Sequence, residues 1–593
     1  MKRCRAAVAA ACALACCVAA AQERDVLIQA MKDELARTAD LALVAPDKPY
    51  LVSYSVEDAT AFTVEATLGA LVGSNDQHFR VLLTRLRVGD YDFDNTNYVA
   101  SDYYPGVHYD SGQLPLENNY GVLRNALWLS TDRAYKTAID AIARKRAALA
   151  SVNVTEKMPD YFREPAVTLI EPTAQGTTDE GAWKERTRRL SATFLGYPDV
   201  LASDAEAEII HSTEYLVSTE GSVVRRPDSV SYVRVRGWGE APDGMRVRDS
   251  ETLVALDPSS FPPAGDMEKS ARNVAEQIAA LTHAPAGSEF TGPVLFEPKA
   301  AAQLFAQLLG ENLKLARKPV PNPGQTLPWI GSELEGRIGS RILPEWMTVV
   351  DDATQTEWRG VTLLGHYDID DEGVRPQPTV LVDKGVLKGF LLTRTPPRPD
   401  INGGSNGHAR FPGPFGEEMP GLSNLFVHAS KTSSLDDLKK QLIDLCRQRG
   451  KPYGIMVREL DFPSAASVSE LRQMTAENMR SGGGGRPPVP PILVYRVYPD
   501  GREELVRGLR FRGLNTRSLR DIVAASDDSY VFNFLDSPVT LALIGGSNYV
   551  AASAVVAPAI LFDELELEPA NDENPRIPIV PPPPLTASVA AGG

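Results

Sequence analysis

Four short runs between residues 340 and 410 decide the fold of the C-terminal half: S-R-I-L-P-E-W-M-T-V-V-D-D-A (340–353), G-H-Y-D-I-D-D-E-G-V (365–374), T-V-L-V-D-K-G-V-L-K-G-F-L-L (379–392) and G-S-N-G-H-A-R (404–410). The β-branched residues near 346–350 and 379–382 are typical of strands. Asp383-Lys384-Gly385 lies between two apolar runs and predicts a hairpin turn, because glycine adopts positive φ at little cost. This stretch therefore predicts strands joined by tight turns.

The length and the charge of the chain set two bounds on its class. With 593 residues it is too long for one ordinary hydrophobic core, so we expect at least two domains. Its formal net charge is −16, and no cluster of basic residues offsets this charge. Such a surface repels the phosphate backbone, and we therefore exclude a nucleic-acid partner.

The first residues resemble a targeting segment. Three basic residues precede an apolar run over 6–18, which ends in small residues at 19–21. This pattern predicts a secretory signal peptide, 1–21, and export to the periplasm or the medium. The run is shorter than the roughly 20 apolar residues of a spanning helix, so we expect no stable membrane anchor. The alternative is a lipoprotein signal in which Cys16 is lipidated.

Cysteine usage limits the covalent chemistry. Four of the five cysteines lie inside the predicted signal, so the remaining chain keeps only Cys446 and cannot form an internal disulfide. Cys446 follows Leu442, Ile443 and Leu445 in an amphipathic pattern. This pattern favours a buried, unreactive thiol over a reactive one.

The N-terminal half, 22–285, is predicted to be an antiparallel sheet covered by helices. Apolar periodicity predicts helices over 24–42, 122–151, 183–195 and from 266 onward, and strands over 206–256. Tyr50, Val52, Tyr54 and Val56 alternate with polar residues, which predicts a meander of several strands over 48–88. The residues from 91 to 112 are rich in Asp, Asn and Tyr and are predicted to form a surface loop.

The C-terminal half, 286–567, is predicted to be mostly β, with a helix over 435–448. The Pro-rich residues 568–593 predict a disordered tail. Residues 494–498 and 504–511 alternate apolar and charged side chains, as a hairpin does. Such a hairpin either lies inside the sheet or offers a face or an edge to a partner chain. The fold class that these patterns predict is α+β with two domains.

The order of these pieces resembles the C-terminal domain of the TldD/PmbA family, metallopeptidase-related proteins once described as modulators of DNA gyrase. Asp371-Glu372-Gly373, the run V-L-K-G-F-L (386–391) and Gly407-His408-Ala409-Arg410 carry the resemblance. It covers the C-terminal half well and the N-terminal half loosely. The resemblance implies the two-domain α+β fold.

The resemblance also implies where a metal site belongs. In catalytic members, the helix just past the domain boundary carries H-E-x-x-x-H, which binds zinc or iron. Gly310 matches the glycine before the second histidine, so Ala306 replaces the first histidine, Gln307 the glutamate and Glu311 the second histidine. Alanine offers no ligand, glutamine is no base, and a lone carboxylate does not hold a transition metal. The chain is thus PmbA-like in lacking the motif, and we predict no metal cofactor.

Two other patterns resemble known sites weakly. Residues 368–373 begin like a calcium-binding EF-hand loop, but the twelfth position is Thr379 where a bidentate glutamate is required. We favour a solvated turn or a cleft loop there. Residues 403–407 fit G-x-S-x-G, but the proline- and glycine-rich residues after them do not favour the helix that a nucleophile elbow needs.

Four polar residues remain as candidates for a substrate cleft: Asp371, Glu372, His408 and Arg410. An arginine can bind a peptide carboxylate through two hydrogen bonds. The alternative is that Arg410 and the acidic pair merely tie two loops together.

Three functions stay open. The first is an exported, non-catalytic subunit of a peptidase complex, since PmbA-type members are thought to partner a TldD-type subunit. Its partner is then a TldD-like homologue with an intact H-E-x-x-x-H, or a second copy of the chain, and its substrate a peptide. The second is an active metallopeptidase with unrecognised ligands. The third is a stand-alone peptide-binding protein.

Overall fold

The computed structural model describes residues 25–43, 47–99, 109–150, 158–174, 176–322, 324, 329, 331–401, 403–412, 417–462, 490–536, 551–570 and 580. The predicted signal peptide, with Cys16, lies outside the described residues, as does nearly all of the predicted tail. In the described part, every helix is too short or too polar to cross a membrane.

The described helices are α1 (Val26–Arg37), α2 (Tyr120–Leu149), α3 (Glu180–Ala192), α4 (Ala264–His283), α5 (starting as Pro298–Leu304) and α6 (Leu435–Gln448). Helix α5 continues through one π turn, Phe305–Gly310, into a last turn, Glu311–Leu313. We use α5 for the whole stretch 298–313. Pro298 opens it, as proline does where the first amides need no partner inside the helix.

The strands of the N-terminal half are β1 (Pro49–Thr67), β2 (Ala70–Val88), β3 (Tyr98–Val99), β4 (Tyr109–Gln113), β5 (Thr168–Ile170), β6 (Val200–Ser218), β7 (Val223–Pro227), β8 (Ser231–Glu240) and β9 (Arg246–Ala255). All except β3 form one sheet in the order β4-β2-β1-β6-β7-β5, with β8 added on β6 and β9 on β8. Helices α1 and α2 pack on one cluster of its apolar side chains, and α3 and α4 on another.

The predicted meander over 48–88 is wrong in its strand count. Residues 48–88 form a single hairpin of two 19-residue strands, β1 and β2, joined at Leu68 and Gly69, which both have positive φ. Gly73 stays inside β2. Residues 74–78 are polar and exposed, but each of them pairs with a residue of β1, so the chain remains extended past Gly73.

The predicted surface loop over 91–112 is also wrong in part. Asp94, Asn95 and Thr96 are buried, and Nζ of Lys145 donates to the carbonyl oxygens of Asp94 and Thr96 at 3.0 and 2.7 Å. These polar residues turn inward because a buried ammonium satisfies them. Residues 100–108 lie outside the described residues.

The strands of the C-terminal half are β10 (Phe290–Phe296), β11 (Val320–Pro321), β12 (Met347–Asp351), β13 (Glu357–Trp358), β14 (Val361–Thr362), β15 (Thr379–Asp383), β16 (Val386–Leu387), β17 (Ala409–Pro412), β18 (Glu418–Pro420), β19 (Asn424–Ala429), β20 (Gly454–Leu460), β21 (Pro491–Val497), β22 (Glu503–Val506), β23 (Leu509–Arg512), β24 (Ile522–Asp536) and β25 (Ala551–Pro569). Eleven of them form a sheet in the order β16-β15-β12-β19-β25-β10-β20-β21-β22, with β23 and β24 also on β25. Strand β25 is central because its residues 551–562 are buried on both faces.

Several local predictions are confirmed. The Asp383-Lys384-Gly385 turn joins β15 to β16, with positive φ at Lys384 and Gly385. Helix α6 covers the predicted residues, and the Ser434 side chain accepts the amide of Asp437 at its start. Cys446 is buried, and burial raises the pKa of its thiol to about 11. The predicted α+β fold class is confirmed.

Two boundaries in the C-terminal half need correction. Glu568 and Pro569 belong to β25 and pair with Arg510 and Leu509, so the strand extends into the predicted tail. The predicted hairpin over 494–511 is split, because β22 pairs with β21 while β23 pairs with β25. Tyr495 and Leu505 pack against the apolar cluster under α3 and α4, so this face is covered within the chain.

The division into domains at residues 285/286 stays a prediction. The position lies between α4, the last helix on the first sheet, and β10, the first strand of the second sheet.

Candidate functional site

Helix α5 runs through the apolar core of the C-terminal sheet and places the three motif positions. Residues 300–306 are almost completely buried, and Ala306 is among them. Ala306 and Gln307 lie within the π turn, and Glu311 follows it directly. A π turn widens the helix by one residue per turn and is frequent at functional sites.

An ammonium group lies beside Glu311. Nζ of Lys314 is 2.5 Å from Oε1 of Glu311 and 2.7 Å from Oδ2 of Asp536, the last residue of β24. Burial alone lowers the pKa of Lys314, but the carboxylates of Asp536 and Glu311 more than offset it and raise this pKa. The Lys314 ammonium is therefore held as a cation between two acidic side chains from different elements.

These residues do not fit a transition metal. Ala306 has no donor atom, Gln307 presents an amide, and Glu311 is already engaged by Lys314. Within the described ranges, no group of three His, Cys, Asp or Glu side chains is arranged to hold a metal ion. Of the two positions that carry ligands in H-E-x-x-x-H, only position 311 has a donor atom here, and its carboxylate is paired with Lys314.

The acidic turn 368–373 uses its carboxylates inside the fold. The side chain of Asp370 accepts the amides of Glu372, Val374 and Ala409 at 3.0, 2.8 and 3.0 Å. Asp370 is therefore buried as an acceptor for backbone amides, and the turn is less solvated than predicted.

Asp371 faces the N-terminal sheet. Its Oδ1 is 3.4 Å from Nη2 of Arg226 on β7, and the same guanidinium pairs with Glu214 at 2.5 Å. Burial, together with the neighbouring charge of Glu214, raises the pKa of Asp371 to about 7.

The side chain of Glu372 also contacts both halves of the chain. It accepts the amide of Arg394 at 2.6 Å and the hydroxyl of Tyr161 at 3.2 Å. The pair 371–372 thus connects the two halves of the chain.

The side chains of His408 and Arg410 have different surroundings. His408 is fully buried, with Nδ1 3.0 Å from Oδ1 of Asn406 and Nε2 2.9 Å from Oδ1 of Asp351. The guanidinium of Arg410 lies 4.1 Å from the ring centroid of Tyr367. Of the four cleft candidates, the acidic pair bridges the halves and His408 is internal. Arg410 lies beside the acidic pair: the amide of Asp371 donates to the carbonyl oxygen of Ala409 at 3.0 Å, and the charge of Arg410 acts on the Asp371 carboxylate.

The G-x-S-x-G pattern at 403–407 forms a bend. Oγ of Ser405 accepts the amide of Gly407 at 3.0 Å and donates to the carbonyl of Leu392 at 3.4 Å. Strand β17 follows, where a nucleophile elbow requires a helix. Ser405 is therefore engaged in local structure.

Sequence reasoning missed a charged seam between the two halves. Arg394 donates two hydrogen bonds to Glu220, at 2.8 and 2.7 Å, and its guanidinium lies 4.3 Å from the ring centroid of Tyr161. Arg317 lies 3.2 Å from Asp160 at the same seam. No spacing or motif links these residues in the sequence, so no local signal could have found the seam.

A small cavity opens at this seam. Its volume is about 20 Å³, which holds a single water molecule. Arg317, Glu418, Tyr98 and Trp329 are among its lining residues. The cavity as it stands is too small for a peptide side chain.

Comparison with known proteins places this site in context. Residues 290–479 match the PmbA/TldA metallopeptidase C-terminal domain. A metalloprotease from Methanothermobacter thermautotrophicus is 29% identical over 262 residues, which cover 40% of this chain and 54% of that protein. A metalloprotease from Archaeoglobus fulgidus is 39% identical over 111 residues, 19% of this chain and 24% of that protein. The matches thus span between a quarter and about half of these two relatives.

Solved structures share the fold over most of the chain. A protein from Thermotoga maritima, described as a modulator of a DNA gyrase, superposes with a TM-score of 0.56 at 15% identity, covering 90% of this chain and 99% of that one. TldE from Thermococcus kodakarensis gives a TM-score of 0.53 at 14% identity, covering 91% and 99%.

The fold and the matching C-terminal domain define a metallopeptidase-related protein. Within that class, residues 290–479 match the PmbA/TldA-type domain, so the TldD/PmbA resemblance seen in the sequence is confirmed for this part of the chain.

Proposed function

We propose that this chain is the exported, non-catalytic subunit of a TldD/PmbA-type peptidase complex. In this complex it holds a polypeptide while a partner with an intact H-E-x-x-x-H performs hydrolysis. The observation that carries the proposal is the pairing of Glu311 with Lys314 at the position of the second metal ligand.

The chemistry of the motif positions supports this role. A metallopeptidase acidifies a water molecule with its metal and removes the proton with a carboxylate. Ala306 supplies no ligand, and the amide of Gln307 has no proton-accepting power comparable to a carboxylate. The one carboxylate at these positions, Glu311, is paired with Lys314, which supports a role other than activation of water.

Two further observations support the proposed export and the proposed partner. The basic and apolar residues of 1–21 support cleavage by a signal peptidase. A Cys16→Ser variant distinguishes this from lipidation, because only a lipoprotein then loses its membrane association. The family resemblance supports a TldD-like homologue as the partner, in preference to a second copy.

The test compares the purified chain alone with the chain plus an H-E-x-x-x-H-bearing homologue. We expect no stoichiometric zinc or iron in the chain alone, no cleavage of labelled casein by it, and a heterodimer by mass photometry. One metal per chain that is lost in Glu311→Ala would instead establish an active metallopeptidase. A monomer in both samples would leave a stand-alone peptide-binding protein.

A restoration variant tests the register of the motif. Ala306→His, Gln307→Glu and Glu311→His together rebuild the motif, but Lys314 remains beside it and repels a cation. We therefore expect zinc uptake to be stronger when Lys314→Met is added to the triple variant. Absence of uptake in both variants would show that the register is wrong.

A further inference from the structure

The side chain of Gln307 is buried without a hydrogen-bond partner. It is 8% exposed, and neither Oε1 nor Nε2 has a partner among the residues that the structure describes. A buried amide without partners lowers the stability of a fold, because it gave up its hydrogen bonds to water. Gln307 therefore presents one free acceptor and two free donor hydrogens inside the C-terminal half.

The same helix contains a matched glutamine that is satisfied. Gln303 is also buried, and its Oε1 accepts the amide of Leu460 at 2.9 Å. Its Nε2 donates to the carbonyl oxygens of Leu460 and Phe462, at 3.3 and 2.5 Å. Gln303 thus binds the backbone of an extended segment, where β20 ends, through both sides of its amide.

Gln307 is the next glutamine along α5. It lies four residues after Gln303, inside the π turn, and Glu311 follows four residues later, just past that turn. In order along the helix, Gln303 comes first, Gln307 second and the Glu311–Lys314 pair third. The first position is occupied by the chain's own backbone, and the second lacks a partner.

We propose that Gln307 binds one peptide unit of an extended polypeptide ligand. Nε2 donates to a carbonyl oxygen of the ligand, and Oε1 accepts a backbone N–H, as Gln303 does with Leu460. This inference rests on the proposed function and adds that the ligand is recognised through its backbone at the position of the missing base. Both amide atoms are covered in the free chain, so binding requires a local opening.

The first test compares melting temperatures of variants at the two glutamines, for which we expect opposite results. Gln303→Leu leaves a backbone amide and two carbonyl groups without their partner, so its melting temperature falls. Gln307→Leu removes an amide that has no partner, so its melting temperature stays the same or rises. These measurements establish that the Gln307 variant is folded before any binding is assayed.

Binding is measured on the full chain, alone and with an H-E-x-x-x-H-bearing homologue whose motif glutamate is replaced by glutamine. The probe is a pool of capped heptapeptides, and the bound members are identified by mass spectrometry after equilibrium dialysis. We expect Gln307→Leu to weaken binding of the best peptide about thirtyfold, the loss that follows from two hydrogen bonds of about 1 kcal/mol each.

A backbone-modified ligand then tests whether Gln307 contacts the peptide backbone. The best peptide is resynthesised with one N-methyl group at each peptide bond in turn. One position should weaken binding to the native chain and have little further effect on the Gln307→Leu variant. Native affinity in Gln307→Leu overturns the inference and leaves the proposed function standing. No binding by the native chain in either form overturns the proposed function itself.

Discussion

Nε2 of His408 lies 2.9 Å from Oδ1 of Asp351, and neither side chain reaches solvent. The carboxylate of Asp351 also accepts the amide of Ser423 at 3.2 Å. His408 therefore links β17, β12 and the start of β19, and its role is structural.

Replacing His408 by leucine should destabilise the chain. Each hydrogen bond to a charged group contributes about 1.5–3 kcal/mol, and Asp351 loses one such bond. Urea unfolding monitors this loss. The control is His283→Leu, since the His283 side chain is 69% exposed where it pairs with Asp199 and its replacement should change stability little. Equal effects of the two variants would contradict a structural role for His408.

Replacing Lys314 by methionine should be more costly. It keeps the length of the side chain and leaves Glu311 and Asp536 as buried carboxylates without their ammonium. Breaking a buried pair in this way costs about 3–5 kcal/mol. Lys314→Arg retains the charge and should recover part of the loss.

Lys440→Met serves as the surface control for Lys314→Met. Lys440 pairs with Asp437 in full contact with solvent, so its removal should leave the unfolding curve almost unchanged. A stable Lys314→Met variant would show that Glu311 and Asp536 do not need a resident cation.

The raised pKa of Asp371 gives a pH prediction. In the unfolded chain this carboxyl titrates near its ordinary value of 3.8, whereas in the fold its pKa is about 7. The folded state therefore binds more protons between these values, so the contribution of Asp371 to stability declines as the pH rises from about 4 to 7.

Asp371→Asn should remove that part of the pH dependence. Free energies of unfolding at pH 5 and pH 7 should differ less in this variant than in the native chain. Asp368→Asn, in the exposed part of the same turn, should keep the native slope. An unchanged slope in Asp371→Asn would show that the proton binds elsewhere.

A substitution at Gly407 tests whether the G-x-S-x-G residues have a structural role. Its φ is +78°, and an added Cβ would lie 2.5 Å from Cα of Pro376. Gly407→Ala should lower stability by about 2 kcal/mol or more, combining left-handed strain with this clash. Gly403, in the same pattern, has open space around it, so Gly403→Ala should be well tolerated. The melting temperatures of the two variants decide the point.

Local structure was predictable from the sequence, whereas strand lengths and side-chain partners were not. The Asp383-Lys384-Gly385 turn and helix α6 follow from residues that lie next to each other. The hairpin of β1 and β2 was predicted with too many strands, because a glycine inside a long strand looks the same in sequence as a turn.

The sequence could not predict which side chains pair with each other at the site, and the reason is physical. Arg226 and Asp371 are 145 residues apart, and Lys314 and Asp536 are 222 residues apart. Periodicity and motif spacing describe neighbours along the chain. The Arg226–Asp371 pair forms only when the two halves meet, and the Lys314–Asp536 pair only when β24 and the end of α5 come together. The position of His408 shows the same limit, since its burial depends on Asp351 from another strand.

The central place of β25 has a consequence for biosynthesis. This strand follows β10, β19, β23 and β24 in the chain and pairs with all four. During translation the eight-stranded sheet can form once Ala255 has emerged, whereas the eleven-stranded sheet waits for residues 551–569. Until then, β10 and β19 lack their neighbour β25, and the unpaired strand edges of the nascent chain are open to aggregation.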